Sequence, residues 1–317
     1  MGEAHAIAKG GWLFDPHRRR NDFGFFGPDS PTWKVWTNPT ALIGFQRSVV
    51  LEHFDPFLTA AVADERGIYT DPRGRLDGTL SYFLLAAVGD SRAAIEASET
   101  LLRVHAKATG IEPISGKRYS ANDPASQLWI HVTGWHSVLK CYEMYGPGKL
   151  SAADEARYWT ESAMAAELQT CKAADIPKSR DQVRDYFAAT RPRLCSSERA
   201  VEAMHYLLRT PYSSGGLPLW GLSRLIAPAT IASLPKWMRQ LGDFDQTRLL
   251  DRAVVPAVRP VVAVTTSPRI ELAIIKAVLP MTHAVLAQHY FGKPPVEAET
   301  LTPAQARELY SVRSVTA

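Results

Sequence analysis

From Ser91 to Gly110, the polar residues Glu96, Glu99, Arg103 and Lys107 fall on one side of a helical projection. Ala94, Ser98, Leu101, Leu102 and His105 fall on the opposite, core-facing side at three- and four-residue spacing. An imidazole is therefore aimed inward at the end of an otherwise amphipathic helix. A buried histidine needs a hydrogen bond, a proton or a metal, so this is where the pattern first points to chemistry.

The same reading along the chain predicts helices and almost no strands, because the Val-rich runs are short and broken by proline. Pro39 to Val62 reads as one buried helix or two, with a break near Asp55-Pro56, and Arg75 to Val88 as another. Asp123 followed by Pro124 is an N-cap with proline at the first helical position, opening a helix that stops at Gly146. Ser151-Ala-Ala-Asp154 opens a helix to about Ala173, and Ser179-Arg-Asp-Gln182 one that ends before Pro192. Ser196 to Leu208 and Pro268 to Phe291 complete the set. Residues 1–20 read as a mobile arm, and Asn21 to Trp36, rich in Gly, Pro and aromatics, as an ordered non-helical one. Tyr212 to Met238, apolar but interrupted by three prolines, reads as an insertion packed on the core, a lid over an apolar pocket, or a membrane-facing patch. The pattern predicts a single all-α domain spanning 1–317.

Composition narrows the function classes. The 317 residues are 46% hydrophobic and 21% charged, ordinary for a globular protein, and the net charge of +4 is too small and too scattered for nucleic-acid binding. The one tight basic run, Arg18-Arg19-Arg20, reads as a solvated arm. Cys141, Cys171 and Cys195 are odd in number and widely spaced, with no CxxC or CxxCH, which argues against a disulfide scaffold, a zinc knuckle and covalently attached haem. They point to a reducing compartment, and the expected location is cytoplasmic, at most peripheral to a membrane. The first twenty residues lack the apolar core of a signal peptide, and the run Ala253 to Val264, broken by Pro256, Arg259 and Pro260, is too short to span a bilayer. HxxxH, HExxH and GxSxG spacings are absent.

Four segments, taken in order, carry a resemblance. They are Phe26-Gly-Pro-Asp-Ser-Pro-Thr-Trp33 with Val35-Trp36; Asp71-Pro-Arg-Gly-Arg75-Leu-Asp-Gly-Thr79; Val104-His105-Ala-Lys-Ala-Thr-Gly110; and Tyr119-Ser-Ala-Asn-Asp-Pro124, reaching Trp129-Ile-His131. Together, over roughly Phe26 to Tyr158, they resemble the MpaB-like oxygenase family, which includes the latex-clearing-protein rubber oxygenases. The resemblance implies an all-α, globin-like helical core holding non-covalent haem b, and O₂-dependent chemistry on an apolar small molecule, in the rubber oxygenases the cleavage of carbon–carbon double bonds. It implies His105 as the iron ligand of an Arg-x-x-His-x-x-x-Arg helix, although Leu102 and Thr109 stand where the arginines would be. It also aligns Arg75 and Thr79 with a distal Arg-x-x-Lys-Thr element in which Gly78 replaces the lysine. Lysine can take the sixth iron position and glycine cannot, so a distal face open or filled by water is expected here.

Each candidate has a plainer reading beside it. His105 is either the haem ligand or a hydrogen-bonded core histidine. His131, inward-facing between Leu128 and Trp135, is a core histidine, a proton carrier or the axial ligand itself; His136 reads as structural. Arg75 and Thr79, one helical turn apart, face one space, where the arginine holds a haem propionate or polarises oxygen and the hydroxyl donates to it; their alternatives are a surface arginine and a packing threonine. Glu52, with His53 and Asp55 before Pro56, is a general base taking an allylic or hydroxyl proton, or part of a helix-end network. Two other classes stay open: a non-catalytic haem sensor or carrier, and a haem-free scaffold or membrane-surface protein. Nothing in the sequence speaks to oligomeric state or substrate identity.

Overall fold

The computed structural model describes residues 14–65 and 67–311. After turn-rich residues 14–30 come α1 (Pro31–Trp36), α2 (Thr40–Glu52), α3 (Pro56–Glu65), the single turn α4 (Gly67–Thr70), α5 (Pro72–Val88) and α6 (Ser91–His105). A small antiparallel hairpin follows, β1 (Thr109–Ile111) on β2 (Arg118–Ser120), with Gly110 opposite Tyr119. Then come α7 (Pro124–Tyr145), α8 (Ala152–Ala166), α9 (Arg180–Thr190), α10 (Glu198–Leu208), α11 (Tyr212–Ser233), α12 (Lys236–Leu241), α13 (Arg248–Thr265), α14 (Pro268–Lys276), α15 (Pro280–Phe291) and α16 (Pro303–Tyr310). The fold is all-α, as the periodicity predicts.

Local chemistry sets many of the boundaries. Asp71, Asp90, Asp123, Ser151 and Ser179 each accept a backbone N–H of the following first turn, capping α5, α6, α7, α8 and α9. The predicted break before Pro56 is real: Asp55 accepts the N–H groups of Phe57 and Leu58 at 3.0 and 3.2 Å and pairs with Arg193 at 3.3 Å. Asp55 is therefore a helix cap.

The centre of the molecule is the pair α2–α7. Gly44 is the reason they close so tightly: a Cβ there would lie 2.6 Å from the Val138 Cα and 2.9 Å from the Ser137 carbonyl oxygen. The buried Arg47 guanidinium then ties α2 to the Ser137 hydroxyl at 2.6 Å and to the Ser233 carbonyl of α11 at 3.3 Å. On the flank, Trp36 stacks on Phe83 at 5.6 Å and meets Trp135 edge-on at 5.2 Å, joining α1, α5 and α7. Gly44→Ala is expected to force the two helices apart and cost about 1–3 kcal/mol of unfolding free energy in denaturant titrations; unchanged stability would show that the contact yields easily.

Several expectations are corrected. Arg18, Arg19 and Arg20 are not a solvated arm. Arg18 pairs with Glu96 at 3.0 Å, Arg19 donates to the carbonyls of Pro294 and Pro295, and the buried Arg20 donates to the Val88 carbonyl at 2.9 Å; residues 1–13 lie outside the described residues. The aromatic arm ends in a helix, α1, because Ser30 caps it and Pro31 starts it. The segment 212–238 is largely helical, with a break at Gly216, which takes a positive φ of 62°. Its inner face (Leu219, Ser223, Ala227, Ile231) is buried, while Leu217 and Leu225 are exposed. The proline-broken run from Ala253 lies inside α13, whose Pro256 and Pro260 are on the solvent side. Pro280 instead splits the predicted Pro268–Phe291 helix into α14 and α15, and α8 stops at Ala166. Among the described residues, no helix is long and apolar enough to cross a membrane.

Candidate active site

A large apolar cavity opens between α2–α3, α5, the end of α6, the start of α7 and the inner face of α11, with about 1980 Å³ of empty space, open mouth included. Leu, Ile, Val and Phe supply nearly half of its lining residues, with Ala, Pro and Gly between them. Polar side chains are set among them, and an apolar wall carrying placed polar groups is the usual make-up of a small-molecule site. Among them are Glu52, His53, Arg75, Thr79, His105 and Gln127.

His105 sits at the last residue of α6, where the helix gives way to the turn leading into β1. Its Nδ1 lies 3.1 Å from Nε2 of Gln127, on the first turn of α7. Burial first, and then the positive charge of Arg75, push its pKa down to about 4, so the ring is neutral at physiological pH. Arg75 and Thr79 both line the cavity from α5, one turn apart as the sequence predicts. The Thr79 hydroxyl, however, donates back to the Arg75 carbonyl at 2.8 Å. Gly78, between them, lines the same wall without a side chain.

Glu52 is the last residue of α2. The Ser48 hydroxyl donates to its Oε1, and the Thr133 hydroxyl of α7 lies 3.2 Å from the same oxygen. These bonds favour the carboxylate, but burial outweighs them and raises its pKa from 4.5 to about 7. Beside it, His53 is buried. Its Nδ1–H donates to the Val49 carbonyl at 2.6 Å, and its Nε2 has no partner. Of the three groups before Pro56, then, Asp55 belongs to the helix-end network and Glu52 to the cavity.

His131 is the main departure. It does not line the cavity: it is buried against Trp135, its ring centroid 5.5 Å away, with Nε2 2.8 Å from the Ser162 carbonyl of α8. Burial drives its pKa down to about 4, so the neutral ring donates Nε2–H to that carbonyl and holds α7 to α8. His131 is thus set apart from the cavity that His105 lines. His136 is likewise structural, with Nδ1 3.4 Å from the Arg47 guanidinium. Among the described residues, no group of three or more His, Cys, Asp or Glu side chains converges to hold a bare metal ion.

Two contributors escape the sequence reading. Gln127 lies one and two turns ahead of His131 and Trp135 on the same inward strip of α7, so a polar inward position was the available signal. Gln46 fixes the wall between α2, α10 and α11, donating to the Leu207 and Leu208 carbonyls and accepting from Thr230 at 2.7 Å. Only the folded chain brings those partners together.

The all-α chain thus sets a neutral imidazole, an arginine and a carboxylate on the wall of one cavity. The chain belongs to the ER-bound oxygenase mpaB/B'/rubber oxygenase catalytic-domain family, whose sequence profile matches residues 33–266. It thus carries an oxygenase catalytic domain. The solved structure of latex clearing protein in its closed state is similar over 84% of this chain and 74% of its own, at 18% identity and a TM-score of 0.46. No curated protein is similar to the chain in sequence.

Proposed function

We propose that the protein is a haem b-dependent oxygenase that uses O₂ on an apolar small molecule, with His105 as the iron's protein ligand. The observation that carries this reading is a neutral imidazole on the wall of a large apolar cavity, at the position where the family resemblance places the ligand. The donor set fits the group. Non-covalent haem needs one imidazole, apolar walls for the macrocycle and a cation for a propionate, and His105, the aliphatic lining and Arg75 are those elements.

Bound haem supplies the oxygen chemistry; the chain supplies the rest. Aliphatic side chains from α2, α3 and α11 hold the substrate and exclude water. Glu52 accepts a proton from it, being poised near neutrality with one oxygen already engaged by Ser48 and Thr133. Arg75 orients an anionic group at the mouth. Thr79 is bonded within its own helix and keeps the α5 wall in place, turning inward only if that bond is exchanged.

The test is oxygen uptake by haem-loaded protein given apolar unsaturated compounds of increasing length. Uptake that tracks substrate consumption supports an oxygenase. Haem binding with no uptake across the series would leave a haem carrier or sensor, the reading that the glycine at position 78 favours.

A further inference from the structure

Gln127 is almost fully buried, and its Nε2 touches two groups: the Ala121 carbonyl oxygen at 2.5 Å and His105 Nδ1 at 3.1 Å. The first contact fixes which way the amide faces. Reversed, it would set two acceptor oxygens against each other at 2.5 Å, whereas as it stands the two amide hydrogens serve Ala121 and His105. The amide's own oxygen is left buried without a partner, which an unconstrained glutamine would avoid.

A ring nitrogen that accepts an amide hydrogen carries no proton. The single ring proton of His105 is therefore on Nε2, and an N–H rather than a lone pair is what the ring offers the cavity. Iron ligation needs the opposite tautomer, with the proton on Nδ1 and an acceptor facing it. We propose that Gln127 is the positioning residue that sets the tautomer of His105, so that the haem-free site presents a hydrogen-bond donor and haem loading requires the Gln127 amide to reverse. Reversal turns the unpartnered Oε1 towards Nδ1–H and gives up the bond to Ala121. The cost falls on the loop after β2, which is tied down by Ala121 N–H to the Ala108 carbonyl at 2.9 Å and by Asn122 Nδ2 to the Leu102 carbonyl at 2.9 Å. The loading step rests on the haem reading; the tautomer of the haem-free protein does not.

The variant that separates these is Gln127→Glu. A protonated glutamic acid donates to Ala121 through one oxygen and accepts Nδ1–H through the other, so His105 takes the iron-binding tautomer before any haem arrives. The experiment is nitrogen NMR of haem-free, ¹⁵N-histidine-labelled protein, with the His105 signals identified by their loss in His105→Gln, followed by hemin titration. Wild type should show a protonated Nε2 and bare Nδ1, Gln127→Glu the reverse, and Gln127→Glu should bind hemin roughly tenfold more tightly, as outer-sphere partners of ligating histidines do. A wild-type ring protonated on Nδ1 overturns the proposal, and that measurement stands even if the variant does not fold. Inverted tautomers with equal hemin affinities overturn the loading step alone. The expected tautomers with no hemin bound by either protein would overturn the haem reading while the assignment of Gln127 stands.

Discussion

His105→Ala should purify nearly colourless and bind added hemin more than about 100-fold more weakly than wild type, since outer-sphere partners of a ligating histidine alone are worth about 10–100-fold. The helix itself should survive. His105 is its last residue, only part-buried, and its one side-chain bond goes to Gln127, so the change removes little packing. His131→Ala should do the opposite. That ring is buried between α7 and α8 and bonded to the Ser162 carbonyl, so its loss opens a cavity and frees a buried acceptor, costing about 2–4 kcal/mol of stability with hemin affinity little changed. Hemin titration and denaturant unfolding of the two variants check both halves. If His131→Ala loses haem and His105→Ala keeps it, the ligand assignment is wrong.

Glu52→Gln should cut substrate turnover by about 10²–10⁴-fold, the usual worth of a positioned proton acceptor, with haem content unchanged. It should also abolish the rise in rate near pH 7 that marks deprotonation of Glu52. The same group predicts a stability effect that needs no substrate. The folded carboxyl keeps its proton up to about pH 7, whereas the unfolded one releases it near 4.5. The native state therefore binds more protons between those values, and stability falls as pH rises through that window. The full shift corresponds to at most about 3 kcal/mol, less for a group beside an open cavity that water can enter. Thermal unfolding of Glu52→Gln from pH 4 to 8 should be flatter than that of wild type. It will not be flat, because Glu271, also raised to about 7 by burial and bonded to Tyr290, titrates in both proteins. Identical slopes would place Glu52 in water and remove the case for it as a base.

How much of this was legible in the sequence depended on whether the signal was local. Helix starts were legible because a capping side chain and its N–H partner lie within three residues: Asp123-Pro124 and Ser179 mark α7 and α9 to the residue. Proline was the ambiguous letter. Pro256 and Pro260 lie within α13 on its exposed side, while Pro280 ends one helix and starts another, and the difference lies in tertiary surroundings that no window of sequence contains. The basic run at 18–20 looked solvated because its acceptors, Glu96, Val88, Pro294 and Pro295, are distant in sequence. In the site, the inward faces of His105 and His131 followed from helical spacing. Spacing could not show that one faces the cavity and the other the Ser162 carbonyl. Nor could it show that Gln127 faces His105 from a neighbouring helix.

An iron-bearing cofactor held by His105, with its other face open, can be seen in one spectrum. Protein made with a haem precursor, or loaded with hemin, is reduced and exposed to carbon monoxide. A Soret band that shifts when the gas is added, and that is largely absent from His105→Ala, is the expected result. A colourless wild-type protein that takes up no hemin would contradict it.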